Sequence, residues 1–92
     1  MISSANRLQS INSVSIQPNP VNDKLILDIS SKFDQSLELS ITNTEGKVLQ
    51  SQFINVQSLS SFKIDVDHLV EGVYFLILSN GESIQTNQFV KQ

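Results

Sequence analysis

The chain has no cysteine and no tryptophan, and a single histidine and a single tyrosine among its 92 residues. Without cysteine there is no disulfide framework, no thiolate metal site and no cysteine nucleophile. With His68 alone, the commonest general base is nearly missing. Charge is scarce too. Asp, Glu, Lys and Arg make up 16% of the residues, against about 25% in an average soluble domain. Ser, Asn, Gln and Thr fill the gap. The net charge of −3 argues against nucleic acid or an anionic membrane surface as partner, since both are met by basic surfaces. No apolar run approaches the roughly 20 residues of a transmembrane helix. Met1–Asn12 has no basic stretch followed by an apolar one, so it is not a signal peptide. A cysteine-free chain rich in uncharged polar residues, with no export signal, is expected to be the tail of a longer exported protein.

What is present is a period of two. The length suits one domain with one core. Apolar residues are 39% of the chain, enough to exclude disorder. Met1–Asn12 reads as a linker and residues 13–92 as the domain. Val14 and Ile16 alternate with polar neighbours up to Pro18-Asn19-Pro20, where two prolines end any central strand. Leu25, Leu27 and Ile29 mark a second strand. Ser30–Ser36 is a loop with Phe33 tucked beneath it. Leu37, Leu39 and Ile41 mark a third strand. Asn43–Gly46 is a hairpin turn, and Lys47–Val56 is the return strand, with a bulge placed at Ser51-Gln52. Phe62, Ile64 and Val66 alternate, and a tight connection then ends on Gly72. Val73–Leu78 is an unbroken apolar run, which needs cover on both faces or a partner on its outer one. Asn80-Gly81 is a strong hairpin signal. Ile84, Thr86, Gln88 and Val90 form the last strand, with Phe89 on its other face. About seven short strands with turns between them and no helical period predict an all-β, Ig-like antiparallel sandwich. Val14, Ile16, Leu25, Leu27, Leu37, Leu39, Ile41, Ile64, Tyr74 and Leu76 are the expected core.

Candidate chemistry is thin. Asp65 and Asp67 share a strand face, and His68 follows in the turn. Two carboxylates and an imidazole suit a cation, but a solvated strand edge and a turn residue explain them more simply. Nothing marks a base oriented by a carboxylate, or an oxyanion hole, so no catalytic residue and no cofactor is expected. Gly46 and Gly72 read as backbone devices, and Tyr74 as a core residue whose hydroxyl bonds a loop.

The order of the turn motifs resembles the C-terminal sorting domain, type A, of the type IX (Por) secretion system of Bacteroidetes. The motifs are Pro18-Asn19-Pro20-Val21, Asn43-Thr44-Glu45-Gly46-Lys47-Val48, Leu69-Val70-Glu71-Gly72-Val73-Tyr74 and the ending Phe89-Val90-Lys91. The likeness runs from Val14 to Gln92, and Gln88 stands where that family commonly has lysine. The resemblance implies a folded secretion signal, not an enzyme. Its partners would be a cargo covalently fused at the N-terminal side, an outer-membrane translocon, and a sortase-like cysteine peptidase that removes the tail at the cell surface. The cargo would travel through the periplasm to the surface or be secreted. Cleavage is expected in Met1–Ser13 or upstream of it, with Ser3-Ser4-Ala5-Asn6 the small, polar stretch. Phe89, Val90 and Lys91, with the backbone from Thr86 onward, are expected to meet the machinery by strand addition. The outward face of Val73–Leu78 is the other candidate surface. A fibronectin III-like or carbohydrate-binding sandwich is the rival module, disfavoured by the shortage of aromatic residues.

Overall fold

The structure is a computed structural model and describes residues 8–92. Seven strands follow in order: β1 (Ile11–Gln17), β2 (Lys24–Ser31), β3 (Gln35–Thr42), β4 (Val48–Val56), β5 (Leu59–Asp65), β6 (Gly72–Ser79) and β7 (Ile84–Lys91). They form a three-stranded sheet ordered β1-β2-β5 and a four-stranded sheet ordered β4-β3-β6-β7. Every strand pairing is antiparallel. The expected sandwich is present.

Alternation decides which side chains go inside. Leu25, Leu27 and Ile29 of β2 face Leu37, Leu39 and Ile41 of β3, and Tyr74, Leu76 and Leu78 of β6 complete the layer; all are buried. Burying each such side chain stabilises the fold by about 1.5–3 kcal/mol before conformational entropy is counted. Of the ten expected core residues, Val14 and Ile16 alone are half-buried; they pack against the core from the edge strand β1. Leu8 and Ile11 also lie in the core. Two residues of the segment read as a linker thus belong to the core, and β1 begins at Ile11.

Three local expectations change. Phe33 is 58% exposed rather than tucked under its loop. Its carbonyl accepts the Ser31 hydroxyl at 2.5 Å, and Gln35 Nε2 donates to Ser31 Oγ at 2.9 Å, so a polar network fills the space instead. The irregularity in β4 lies at its start: Ile41 pairs Gln50 while Thr42 pairs Val48. That leaves Leu49 as the extra residue and keeps Ser51 and Gln52 in a regular ladder. Phe89 is fully buried, stacked on Tyr74 with ring centroids 5.7 Å apart. Its strand therefore turns Gln85, Asn87, Phe89 and Lys91 inward, opposite Leu78, Leu76, Tyr74 and Gly72.

Candidate recognition surface

The first three motifs each hold a turn. At the first turn Asn19 acts as a short false strand. Its Oδ1 accepts the Val90 amide at 2.9 Å, and its Nδ2 donates to the Gln88 carbonyl at 3.5 Å. Val21 extends the pairing. Its amide donates to Val90 O at 2.9 Å, and its carbonyl accepts Gln92 N at 2.8 Å. Val21 itself is fully buried. The Pro18-Asn19-Pro20-Val21 segment, reached from the three-stranded sheet, thus seals the end of β7 in the four-stranded one. Sequence pattern alone identified a turn here, not a clasp between sheets. The missing piece was β7's register, which no local pattern supplies.

The second turn is held by Asn43, whose Oδ1 accepts the Glu45 and Lys47 amides at 2.9 and 3.0 Å. Gly46 follows at φ +86°, a conformation in which a side chain is strained. Lys47 contributes its backbone to this turn. In the third motif Leu69 plugs the core, and the Tyr74 hydroxyl donates to Val70 O at 2.6 Å. Gly72 between them has φ +153°. The nearest atom to an added Cβ there is a Tyr74 ring carbon at an ordinary 3.9 Å. Conformation rather than crowding is what asks for glycine.

Asp65 and Asp67 do not converge on His68. The Asp65 carboxylate accepts the Asp67 amide at 2.9 Å and lies 3.5 Å from Lys24 Nζ. The Asp67 amide, with Lys24 and His68 adding, holds the Asp65 carboxyl below its ordinary range against an opposing desolvation. Among the described residues, no three His, Asp or Glu side chains gather as a metal cluster would. The Asp65 carboxylate instead caps its own turn and pairs across the strand through one oxygen, Oδ1.

With the motifs spent on the fold, recognition falls to the surfaces they leave open. On the outer face of the four-stranded sheet, β6 presents Val73, Phe75 and Ile77, and β7 presents Ile84 and Val90 beside them. The apolar run of β6 thus has core on one face and an apolar patch on the other, as its composition required. Val90 belongs to this patch. Phe89 and Lys91 do not, because both side chains point inward and are buried; Lys91 Nζ donates to Gln92 O at 2.8 Å. The side chain expected to anchor a partner is instead a core residue, since Gln85 and Asn87 ride inward with it and blur the alternation. The outer face of the three-stranded sheet is different. Ser13, Ser15, Asp28, Ser30, Ser61 and Leu59 line a shallow depression there.

Sequence reasoning passed over β4. Val48 and Phe53 are among the most exposed apolar residues, Phe53 at 76%. The signal was available, since Val48–Val56 contains neither a charge nor a proline.

Compared with known proteins, residues 15–92 match the family model described as the secretion system C-terminal sorting domain. No curated protein matches the chain.

Proposed function

The chain belongs to the type IX secretion C-terminal sorting domain family, and we propose on that premise that it works as a tail read in its folded state. It is a sorting domain that implies export of its host protein to the cell surface or beyond. In our reading it carries a cargo fused at its N-terminal side from the periplasm through an outer-membrane translocon. A sortase-like cysteine peptidase then cuts before the sandwich. The expected cut at Ser3-Ser4-Ala5-Asn6 lies outside the described residues. The domain supplies shape and surface, and the chemistry belongs to the peptidase.

The observation that carries this reading is the division of labour in the chain. Asn19, Val21, Asn43, Gly46, Leu69, Gly72, Tyr74 and Phe89 are engaged in turns, the clasp or the core, while the apolar side chains of Val73, Phe75, Ile77 and Val90 are left on one outer face. Exposed apolar patches of this kind mark interaction sites. Recognition by the last strand is retained in altered form: Val90 takes part through the outer face, and Ile84–Gln88 through the backbone edge beyond the clasp. Fusing residues 1–92 behind a reporter with a Sec signal, in a type IX-competent bacterium, tests the proposal. The reporter should reach the surface or medium, and mass spectrometry should place the cut before Val14. A reporter held in the periplasm, or a cut within Val14–Val90, would refute it.

A further inference from the structure

A sandwich of two open sheets has four edge strands, and each edge offers unpaired backbone groups to a partner. Three of the four are guarded along part of their length. β1 carries a register shift between Ile11 and Ser13 and runs into Pro18. β5 places Lys63 and Asp65 on its outer side. β7 is sealed at its end by Asn19 and Val21. The fourth, β4, has no such device from Gln50 to Val56, where its ladder to β3 is regular. Among the described residues, Val48–Val56 make no backbone hydrogen bond outside that ladder. The segment is uncharged and holds the 76%-exposed Phe53.

We propose that the β4 edge is where a strand of the secretion machinery adds to the four-stranded sheet. The inference rests on the sorting reading above and names the edge that is read. The occupant is an extended, uncharged segment of a larger partner, not a second copy of this chain. Two copies joined edge to edge along β4 would meet through a single strand pair. They would also extend the sheet in its own plane, leaving Val73, Phe75 and Ile77 bare. A larger partner that pairs with β4 can reach over the same outer face to those residues, because Phe53 projects from that face. The register places Phe53 opposite Glu38, Glu38 opposite Ser79, and Ser79 opposite Ile84, one row across the whole sheet. Backbone bonds would give affinity, and Phe53 would serve as the apolar anchor.

The test uses the full chain on the exported reporter, with Phe53→Lys. Lysine on an edge is the usual guard against strand addition, and here it would stand opposite Glu38, so the fold should tolerate it. Export should fall roughly tenfold or more, while circular dichroism and melting of the purified domain stay near those of the parent. Phe53→Leu should export normally, and so should Ser15→Lys on the serine-lined face. A folded Phe53→Lys tail exported at the parent level would overturn the proposal. Should that variant fail to fold, Asn55→Lys, on the same edge and the same outer face opposite Ser36, gives the same readout. Sedimentation of the parent domain should show a monomer. A dimer dissolved by Phe53→Lys would assign the edge to a second copy and overturn the choice of partner. If the parent tail itself is not exported, the sorting reading fails rather than the edge.

Discussion

The two sheets close on one core and show opposite outer faces. The three-stranded sheet turns Ser13, Ser15, Asp28, Ser30 and Ser61 to solvent, and the four-stranded sheet turns Val73, Phe75, Ile77 and Val90. Folding alone does not require the second arrangement, since an antiparallel sheet needs one apolar face. The serine-rich face has exposed Leu59 and half-buried Ile26 as its apolar members, set among serines and Asp28 rather than side by side along one strand. Against it, the apolar face reads as a surface kept for a partner. The inner faces differ as well. Phe89 and Tyr74 make the four-stranded sheet the aromatic centre of the core, whereas β1 contributes only half-buried Val14 and Ile16.

The largest expected effect follows from that inner difference. Phe89→Ala should cost about 3–5 kcal/mol, from lost transfer energy and the cavity left beside Tyr74. Val14→Ala, on the other sheet, should cost about 1 kcal/mol, because a half-buried methyl pair leaves little void. Chemical denaturation of both variants measures the contrast, and equal costs would show that the core is not centred on the four-stranded sheet.

Gly72 comes next. It starts β6 at φ +153°, so Gly72→Val should cost about 1–3 kcal/mol through backbone strain. A melting temperature unchanged in this variant would mean that the strand start relaxes freely. Asn19 joins the two sheets through its bonds to Gln88 and Val90. Asn19→Ala should cost about 1–2 kcal/mol for two bonds on an exposed edge. Hydrogen exchange should then accelerate at the Val90 amide while the β2 amides keep their protection. Uniform acceleration would instead show that the clasp supports the whole sandwich.

Much of this was legible in the chain. Period-two alternation gave the inner faces of β2, β3 and β6 because each interleaves apolar and polar residues cleanly. Asn43, Gly46 and Asn80-Gly81 marked their turns through backbone conformations that few other residues adopt. The last strand was harder. Phe89 and Val90 are both apolar, while Gln85 and Asn87 point inward with Phe89, so alternation could not choose a face. Asn87 Oδ1 is left buried without a partner, a polar group that pattern reading assigns outward. Leu8 escaped notice because one buried residue in a polar segment has no period. Phe33 was placed inside on hydrophobicity alone, where the Ser31–Gln35 network already holds the loop. The clasp and the open β4 edge depend on which strands become neighbours, and that is a property of topology rather than of any local window.

The smallest expected effect belongs to the polar sheet and concerns acid. Asp65 pairs across β2–β5 with Lys24 and caps its own turn through the Asp67 amide. That amide first, and then Lys24, favour the ionised carboxylate, so its folded value lies below the ordinary one. A depressed folded value means that the folded state holds the proton less tightly than the unfolded chain does. The stabilisation is therefore present above the unfolded value of about 3.9 and fades as pH falls through the lower folded value. Asp65 is exposed, so solvent screening keeps the effect modest. Asp65→Asn should lose a little stability at neutral pH and show a shallower decline below about pH 4. Raising ionic strength should narrow the difference between parent and variant by weakening the Lys24 attraction, while the Asp67 amide bond persists. Stability measured from neutral pH into the acid range at low and high salt separates these two causes. A variant whose acid limb matches that of the parent would show that the pair and the cap contribute nothing to the fold.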